Sequence, residues 1–533
     1  MTATLTCKMK SYIQPFEKKL ALAELTALTG GTPKPLKSAQ AAIEYLTASS
    51  QPAELVAGRL AYWEHVRTSE RERFLTEQIL REATAKLPRV VSGPLTLSTL
   101  RLAPAEENLP NRRCLRYGPH GLHEYRGKYF PQLVRALLNI SGASRKSVVV
   151  DPMSGSGTTA VESVLSGCRA LGTDMNPLSV FMGQTKCELL SISAETLVRQ
   201  VARITETLEG AVRLGSGLPY LSSLPENDQA YLTAWFSPKV LRQLDRIAQE
   251  IQKVNQPVVQ KFFWLSLSNI LRGVSWQKND DLRVRKEIRD DSEIDAVQEF
   301  LKELRHSTIG LVPFLQQIKT YELGAHRIKL GDARELGAAW AQYREKVDAV
   351  ITSPPYATAL PYLDTDRLSL AYLGLLPRAK HRGQDLRMIG NREVSEKIRR
   401  EYWTRFLEHK QDLPDSVSTL IQKIDRLNQG HEIGFRRRNL PALLAKYFFD
   451  MKNVLEGIQT LLRPGATAYV VVGNNHTTAG GKGVDINTAQ LLKDIADSIG
   501  LTPKGEIPMD MLVSRDIFRK NTLKSETILA LQK

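Results

Sequence analysis

The sequence is poor in the features that mark secreted, disulfide-bonded or membrane-spanning proteins. Only four cysteines occur among its 533 residues, none with C-x-x-C spacing, which argues against a disulfide framework or a zinc site. No apolar run approaches the ~20 residues needed to cross a bilayer. The first ten residues, M-T-A-T-L-T-C-K-M-K, also lack the apolar core of a signal peptide. We therefore expect an intracellular protein without a bound metal and without a membrane partner.

Acidic residues are scarce relative to basic ones. The chain has 73 Lys and Arg against 57 Asp and Glu, which gives a net charge of +16 and a pI near 9.5. Such an excess is typical of proteins that bind polyanions such as nucleic acids, although it can also serve solubility alone. The hydrophobic content of 42% is enough for sizeable cores, and the length is that of about two to four domains.

Four predicted strands end in residues that can carry chemistry. Three of them lead to Asp151, Asp174 and Asp332, and the fourth, Val347–Ile351, leads to Thr352-Ser-Pro-Pro-Tyr356. Two adjacent prolines lack N–H donors and have fixed φ, so they end a central strand. The chain then leaves the sheet at its carboxyl edge, where open α/β sheets bind ligands. The plain alternative is a loop with a chance Pro-Pro pair.

A glycine loop follows the first of these strands. The stretch D-P-M-S-G-S-G-T-T places Gly155 and Gly157 between a strand and a helix, where a missing Cβ lets the backbone lie against a ligand. Asp174 falls 19 positions after Gly155, close to the spacing of a carboxylate that binds ribose hydroxyls. A dinucleotide loop would have its third glycine where Ala160 stands. Alanine is a permitted variant there, so this position does not exclude NAD.

Residues 377–440 differ from the rest of the chain in charge. They contain fifteen Lys and Arg against nine Asp and Glu, with aromatic residues interleaved at positions 402, 403 and 406. This mixture is suited to phosphate contacts together with base contacts. The alternative is a solvated helical surface whose long side chains lie along apolar neighbours. The candidate nucleic-acid-binding residues are Arg399, Arg400, Arg436, Arg437 and Arg438.

Together, the motifs resemble those of the S-adenosylmethionine-dependent DNA amino-methyltransferases. The likeness covers about residues 120–185 and 325–375 and is weaker toward the end of the chain. The family usually has Phe at the position of Met153, where methionine can still supply apolar contact. The motifs, in chain order, are H-E-Y-R-G-K-Y-F-P-Q-L, D-P-M-S-G-S-G-T-T, T-D-M-N-P, G-D-A and T-S-P-P-Y.

The resemblance implies S-adenosylmethionine as the cofactor and assigns roles residue by residue. Asp174 would bind the ribose hydroxyls, and Asp332 would accept a hydrogen bond from the adenine amino group. The target base would be held by Ser353, Pro354, Pro355 and Tyr356. The remaining expected cofactor residues, several of them around its methionine part, are Lys128, Tyr129, Asp151, Met153, Gly155, Gly157, Thr158, Thr159 and Asn176.

The S-P-P-Y motif also makes chemical sense for methylation of a base amine. An exocyclic amine is a poor nucleophile, and hydrogen bonds to Ser353 and the Pro354 carbonyl would aim its lone pair at the methyl group. Tyr356 offers a stacking surface to a base that has been flipped out of a duplex. Methylation of a ring carbon instead needs a cysteine that typically follows a proline, and none of the four cysteines does. Within the family, serine before P-P-Y favours cytosine N4 over adenine N6.

These features predict a cytosine-N4 methyltransferase of double-stranded DNA, in the cytoplasm near the nucleoid. A cognate restriction endonuclease or another defence-system protein is the further partner expected. The alternatives are an adenine-N6 enzyme, an RNA base-amine methyltransferase, and a nucleic-acid-binding protein with a relict cofactor fold.

The predicted fold is α/β, a Rossmann-like methyltransferase sheet with helices on both faces, a helical N-terminal region and helical insertions. The long insertion lies where the family does not usually carry its recognition domain, so residues 190–320 are the second choice for reading DNA. The predicted segments are a helical N-terminal region (1–110, with a helix over Ser69–Lys86), a cofactor-binding core part (111–190), a helical insertion (191–323), the core with the SPPY loop (324–376), a basic candidate target-recognition segment (377–444) and the C-terminal core (445–533).

Overall fold

The computed structural model of the chain describes most of the sequence, and none of its described helices is long and apolar enough to cross a membrane. The described residues are 3–36, 44–86, 91, 93–101, 109–125, 127, 129–210, 217–278, 285–288, 290, 293–357, 362–391, 394–430, 433–510 and 525–533. The strands within these ranges are β1 (Ala3–Met9), β2 (Lys34–Pro35), β3 (Glu44–Ser49), β4 (Trp63–Arg67), β5 (Arg73–Leu75), β6 (Val148–Asp151), β7 (Arg169–Asp174), β8 (His326–Leu330), β9 (Val347–Thr352), β10 (Leu462–Gly473), β11 (Asn475–Ala479), β12 (Lys482–Ile486), β13 (Thr502–Asp510) and β14 (Ser525–Gln532).

The helices fall between these strands and cover both faces of the larger sheet. They are α1 (Pro15–Thr29), α2 (Ala53–Arg59), α3 (Glu77–Ala83), α4 (Pro131–Ile140), α5 (Thr158–Leu165), α6 (Pro177–Leu189), α7 (Ala194–Glu209), α8 (Pro219–Ser222), α9 (Glu226–Trp235), α10 (Pro238–Gln252), α11 (Pro257–Val274), α12 (Ala296–Gln317), α13 (Leu336–Ala339), α14 (Tyr362–Thr365), α15 (Arg367–Tyr372), α16 (Arg378–Arg387), α17 (Glu396–His409), α18 (Asp415–Asn428), α19 (Phe435–Leu461) and α20 (Thr488–Ser498).

A seven-stranded sheet forms the centre of the fold. Its strand order is β13-β14-β10-β9-β6-β7-β8, and β14 runs antiparallel to its neighbours while the others are parallel to one another. Along β6, Val149 packs with α4 and the N-terminal region, whereas Val150 packs with α19 and α20. The predicted Rossmann-like α/β sheet with helices on both faces is confirmed. Because the chain winds outward in both directions from the adjacent strands β6 and β9, their carboxyl ends mark the expected ligand crevice.

Helical insertions interrupt this sheet at two places. Helices α7 to α12 lie between β7 and β8, and α14 to α18 lie between β9 and the long helix α19. These insertions confirm that part of the predicted fold class. The first lies between the second and third strands of the core, as the sequence pattern indicated.

The prediction that residues 1–110 are helical is wrong. This region contains a second, antiparallel sheet of order β2-β3-β1-β4-β5, with helices α1 to α3 around it. In β1 the side chains of Leu5, Cys7 and Met9 are buried while those between them are more exposed. Burial at every second residue is the pattern of a strand with one covered face. The composition of the region gave no indication of this pattern.

The helix predicted over Ser69–Lys86 is correspondingly shorter. Residues 73–75 form β5, and α3 begins only after Thr76, whose hydroxyl accepts the N–H of Ile79 at 3.3 Å. Phe74 and Leu75 are two of the apolar residues in the stretch predicted to be helical. They lie instead in an edge strand paired with β4, because pairing with another strand overrides the local spacing of apolar residues.

A buried ion cluster joins the N-terminal sheet region to the core. Glu162 on α5 is fully buried, and its carboxylate accepts from Tyr117 at 2.9 Å and meets the His120 ring at 2.8 Å. Arg81 on α3 lies 3.4 Å from the other oxygen of Glu162, and Arg135 on α4 lies 4.0 Å from it. Since α5 starts at the glycine loop, the N-terminal region directly supports that loop.

Candidate active site

A cavity opens at the carboxyl edge of the sheet, where β6 and β9 end side by side. The empty space there, including the part open to solvent, is about 750 Å³. It brings together the glycine loop, the tip of β7 and the S-P-P-Y loop, which lie far apart in the sequence. The lining residues are Tyr125, Gly127, Tyr129, Pro152, Met153, Ser154, Gly155, Ser156, Thr158, Asp174, Met175, Asn176, Ala333, Ser353, Pro355, Met388 and Ile389.

The two glycines of the loop are required by close packing. Gly157 has φ +84°, and a Cβ built there would lie 2.7 Å from the Cα of Gly183 on α6. Gly155 has φ +48°, and its Cβ would lie 3.0 Å from the ring of Tyr125. This tight turn starts α5 at Thr158, which lines the cavity, so the free N–H groups of the first helical turn lie at its edge.

Asp174 stands at the cavity wall with both carboxylate oxygens already oriented by the backbone. Gly155 donates its N–H to one oxygen at 2.8 Å, and Asn176 donates its N–H to the other at 2.8 Å. Each oxygen keeps a free lone pair for a further donor such as a ribose hydroxyl. Burial raises the pKa of Asp174 to about 6, against the lowering effect of the two N–H donors and with a further rise from the nearby Asp151 and Asp366 carboxylates.

Asp151 lies beneath the cavity rather than on its wall. Its side chain is 2% exposed and accepts from the Thr352 hydroxyl at 2.7 Å, the Met153 N–H at 3.1 Å and the Tyr129 hydroxyl at 3.2 Å. Burial raises the pKa of its carboxyl, and these donors oppose the rise. Asp151 therefore ties the glycine loop after β6 to the S-P-P-Y loop after β9. Thr159 joins the same network by donating to the Ile351 carbonyl at 3.1 Å.

The S-P-P-Y loop forms the other wall of the cavity. Ser353 and Pro355 line it, while Pro354 is buried and Tyr356 is half-buried just beyond. The Tyr356 hydroxyl donates to the Glu526 carboxylate on β14. The loop is thus held beside the glycine loop.

The structure places Asp332 outside the cavity lining. Its carboxylate forms a bidentate pair with Arg334, at 2.9 and 2.6 Å, and also accepts the Arg334 N–H at 3.1 Å. Burial would raise the pKa of Asp332, but the Arg334 hydrogen bonds and charge hold it below its ordinary value. The neighbouring Ala333 does line the cavity. The predicted acceptance from an adenine amino group stays a prediction.

The other predicted residues have mixed positions. Asn176 lines the cavity but also caps α6, accepting from the Leu178 N–H at 3.0 Å and donating to Asp366 at 2.8 Å. Met153 and Tyr129 line the cavity, and Lys128 lies outside the described residues. Their roles toward a cofactor stay predictions.

Several lining residues were not among the predicted site residues. Tyr125, Ser154 and Ser156 stand inside quoted motifs, so their motif membership was a usable signal. Met388 and Ile389 follow α16 in the basic segment and reach the cavity only through the fold.

The lining fits an adenosyl group that carries an amino-acid tail. The Ser154 and Ser156 hydroxyls are buried, with side chains 5% and 3% exposed, and neither has a hydrogen-bond partner among the described residues. Buried hydroxyls normally have partners, so these two could hydrogen-bond to a polar ligand in the cavity. The Asp174 carboxylate presents acceptors that ribose hydroxyls could meet, and Met175 and Ile389 present apolar surface that a ring could contact.

The predicted nucleic-acid-binding arginines lie on two helices of the basic segment. Arg436, Arg437 and Arg438 are exposed in the first turn of α19. Arg399 and Arg400 on α17 both pair with Glu396, at 2.5 and 3.2 Å. Lys446, further along α19, donates to the carbonyl of the cavity residue Met388 at 3.2 Å. The exposed start of α19 at Phe435 is therefore about 16 Å along the helix axis from Lys446, at about 1.5 Å per residue.

Metal ligation finds no support within the described residues. No group of three or more His, Cys, Asp or Glu side chains there could hold a metal ion.

Comparison with known proteins links these features to methyl transfer. Residues 124–211 match the family described as UPF0020, RMKL-like, methyltransferase domain. The chain is 26% identical over 265 residues to the type II methyltransferase M.MvaI of Kocuria varians, which covers 48% of this chain and 58% of that protein. It is 23% identical over 432 residues to M.BsoBI of Geobacillus stearothermophilus, covering 72% and 79%. It is 24% identical over 371 residues to M.AvaI of Nostoc sp., covering 66% and 72%. The match thus spans little more than half the length of M.MvaI.

Proposed function

We propose that the chain is an S-adenosylmethionine-dependent DNA methyltransferase that methylates the exocyclic N4 amine of cytosine in double-stranded DNA. The observation that carries the proposal is the position of the S-P-P-Y loop. Ser353 and Pro355 line the same cavity as the glycine loop and Asp174, so a base amine at Ser353 would face a cofactor held by the other wall.

Cofactor binding would depend on the groups that the lining presents. Asp174 would accept from the ribose hydroxyls, while the Ser154 and Ser156 hydroxyls and the start of α5 would meet the amino-acid tail. When bound, S-adenosylmethionine supplies a sulfonium methyl group that a nucleophile can take directly.

The protein's contribution to the reaction would be positioning of the base. The Ser353 hydroxyl and the Pro354 carbonyl would accept the N–H bonds of the amine, which draws its lone pair out of the ring and toward the methyl group. Two adjacent prolines and the Asp151–Thr352 hydrogen bond of 2.7 Å keep these acceptors fixed before the base arrives. Tyr356 would stack against the flipped base.

DNA is the proposed substrate for two reasons. The relatives above carry the name type II methyltransferase, and the net charge of +16 suits a polyanion. The exposed run Arg436–Arg438 would contact phosphates, beside Phe435, whose side chain is 53% exposed. Arg399 and Arg400 would lie on the same DNA-facing surface.

The choice of cytosine N4 depends on Ser353 within the motif, and adenine N6 is the competing target base. The decisive experiment incubates purified protein and labelled cofactor with DNA free of modified bases and, separately, with RNA. Mass spectrometry of the nucleosides should then find N4-methylcytosine from DNA. Finding N6-methyladenine instead would show that adenine is the target base, and label in RNA alone would show that RNA is the substrate. Cofactor binding without methyl transfer to DNA or RNA would reject the proposed function.

A restriction endonuclease with the same recognition sequence is the proposed partner, and the nucleoid is the proposed location. The support for both is the type II designation of the relatives. DNA from cells expressing the protein should resist at least one endonuclease that cuts DNA from control cells. Sequencing of modified bases in that DNA would identify the recognition sequence, and DNA cut to the same extent by every endonuclease tried would contradict the partner.

A further inference from the structure

The S-P-P-Y loop is held at both of its ends. On its amino side, the Thr352 hydroxyl donates to the buried Asp151 carboxylate at 2.7 Å. On its carboxyl side, the Tyr356 hydroxyl donates to the Glu526 carboxylate. Between these two anchors, Pro354 and Pro355 restrict the backbone. The second anchor comes from a residue that no motif of the sequence contains.

The sheet topology explains how Glu526 reaches the loop. It is the second residue of β14, and its partner in register on β10 is Gly473, the last residue of that strand. Because β14 runs antiparallel to β10, its beginning lies at the carboxyl edge of the parallel strands. Glu526 therefore stands at the edge of the sheet that carries the cavity, with only β10 between its strand and β9, which leads into the S-P-P-Y loop.

The Tyr356 hydroxyl is a donor and the Glu526 carboxylate an acceptor, so each side chain satisfies the other. Burial raises the pKa of the Glu526 carboxyl, and the hydrogen bond from Tyr356 opposes that rise. A half-buried carboxylate that loses its donor is left partly desolvated, so the hydrogen bond fixes both side chains. A tyrosine side chain turns about two torsions, and holding its hydroxyl at a fixed point limits the positions of the ring.

We propose that Glu526 is a positioning residue for target-base capture, holding the Tyr356 ring ready to stack on the flipped base. This inference rests on the proposed function, because it needs Tyr356 to meet a base. Preorganised supporting contacts keep a functional side chain within a fraction of an ångström of its productive position. Glu526 acts through Tyr356 and has no part in cofactor binding.

The test compares the variants Glu526→Ala, Glu526→Gln and Tyr356→Phe, together with the double variant Glu526→Ala/Tyr356→Phe. Glu526→Ala should lower kcat/KM for DNA by about 10- to 100-fold, the usual effect of losing a hydrogen bond to a charged group. Glu526→Gln retains an acceptor oxygen of the same reach and should stay within about threefold of wild type. Tyr356→Phe should repeat most of the loss, and the double variant should add little because both remove one interaction.

Two readouts separate positioning from general damage. Affinity for S-adenosylhomocysteine by calorimetry should match wild type in every variant. The thermal midpoint should match wild type in Glu526→Ala and Glu526→Gln, neither of which leaves the carboxylate without its donor. The control variant is Glu506→Ala on the neighbouring strand β13, where the carboxylate is about half exposed and pairs with Lys493 at 3.2 Å. It should leave kcat/KM for DNA unchanged.

Each other outcome has a definite meaning. If wild type is active and Glu526→Ala has the same kinetics, the inference is overturned and the proposed function stands. The same conclusion follows if the losses of the two single variants add in full in the double variant. A loss of cofactor affinity or of thermal stability in Glu526→Ala that parallels the loss of kcat/KM would also overturn it, since it would show a structural role. Wild type that transfers no methyl group to DNA would instead reject the proposed function, and this inference with it.

Discussion

The pKa of Asp174 gives cofactor affinity a pH dependence that can be calculated. Its carboxylate must be ionised to accept from ribose hydroxyls, yet burial raises its pKa from 3.8 to about 6 in the free protein. Ligand hydroxyls donate only to the ionised form, so binding competes with protonation. Affinity should be constant at neutral pH and should fall about tenfold per unit below about pH 6, so that it is roughly tenfold weaker at about pH 5 than at about pH 7.

The raised pKa of Asp174 also makes the folding stability of the protein depend on pH, in the opposite direction to cofactor affinity. Since the folded pKa lies above the unfolded value, the folded protein binds more protons between these two values. The contribution of Asp174 to folding is therefore complete below about pH 4 and is lost as the pH rises through about 6. At neutral pH the ionised carboxylate costs about 3 kcal/mol, which ligand hydroxyls partly recover on binding. Ligand-induced stabilisation should thus be larger at neutral than at acidic pH.

Calorimetry with S-adenosylhomocysteine across this pH range measures the effect directly. Asp174→Asn should bind more weakly at neutral pH and lose the decline below about pH 6, because its amide does not titrate. The control variant is Asp485→Asn, on the exposed hairpin strand β12, where the carboxylate pairs with His476 at 2.7 Å. It should keep the wild-type pH profile. Affinity that stays constant down to about pH 5, or that declines equally in Asp174→Asn, would refute the assigned role.

Three further predictions address the loop, the DNA surface and the buried cluster. Ser353→Ala should lower kcat by about 100-fold in steady-state assays while leaving S-adenosylhomocysteine affinity unchanged, because it removes an acceptor used only by the reacting amine; unaltered kcat would remove Ser353 from the mechanism. Reversal of charge at Arg436–Arg438 should weaken DNA binding and lower the slope of log affinity against log salt concentration by up to about three. An unchanged slope would show that these arginines do not contact DNA phosphates. Glu162→Gln should lower the free energy of unfolding by about 3–5 kcal/mol in denaturant titrations, because it removes the buried counter-charge of Arg81 and Arg135 and leaves them only the more exposed Glu77. A loss below about 1 kcal/mol, the size of a surface pair, would contradict that account.

The parallel core was predictable because its central strands contain apolar runs, V-V-V in β6, A-V-I in β9 and Y-V-V-V in β10, and because acids, glycine or the S-P-P-Y motif stand at the carboxyl ends of the strands. Strand β7 ends at Asp174 as expected, and the 19-residue spacing from Gly155 corresponds to a direct hydrogen bond of 2.8 Å between them. The N-terminal sheet was not predictable by the same rule. Its strands are short and half-exposed, and a charged stretch around residue 70 imitates a helix.

The cavity-lining residues that belong to the motifs were largely predictable from the sequence, and the lining residues that only the fold brings there were not. Met388 and Ile389 reach the cavity from the second insertion, and Glu526 reaches Tyr356 from a strand 170 positions later. Such neighbours leave no local spacing to recognise. Asp332 shows the converse: a strand-tip acid in the expected order is paired with Arg334 outside the cavity lining.

The cluster around Glu162 makes the N-terminal sheet region and the cofactor-binding core one folding unit. Arg81 is contributed by the former, His120 and Arg135 come from the chain leading to β6, and all three meet a carboxylate one turn after the glycine loop. A fragment starting at residue 111 would leave that carboxylate with part of its counter-charge missing. We expect both regions to melt in a single transition, and the glycine loop to lose its shape as soon as the N-terminal sheet unfolds.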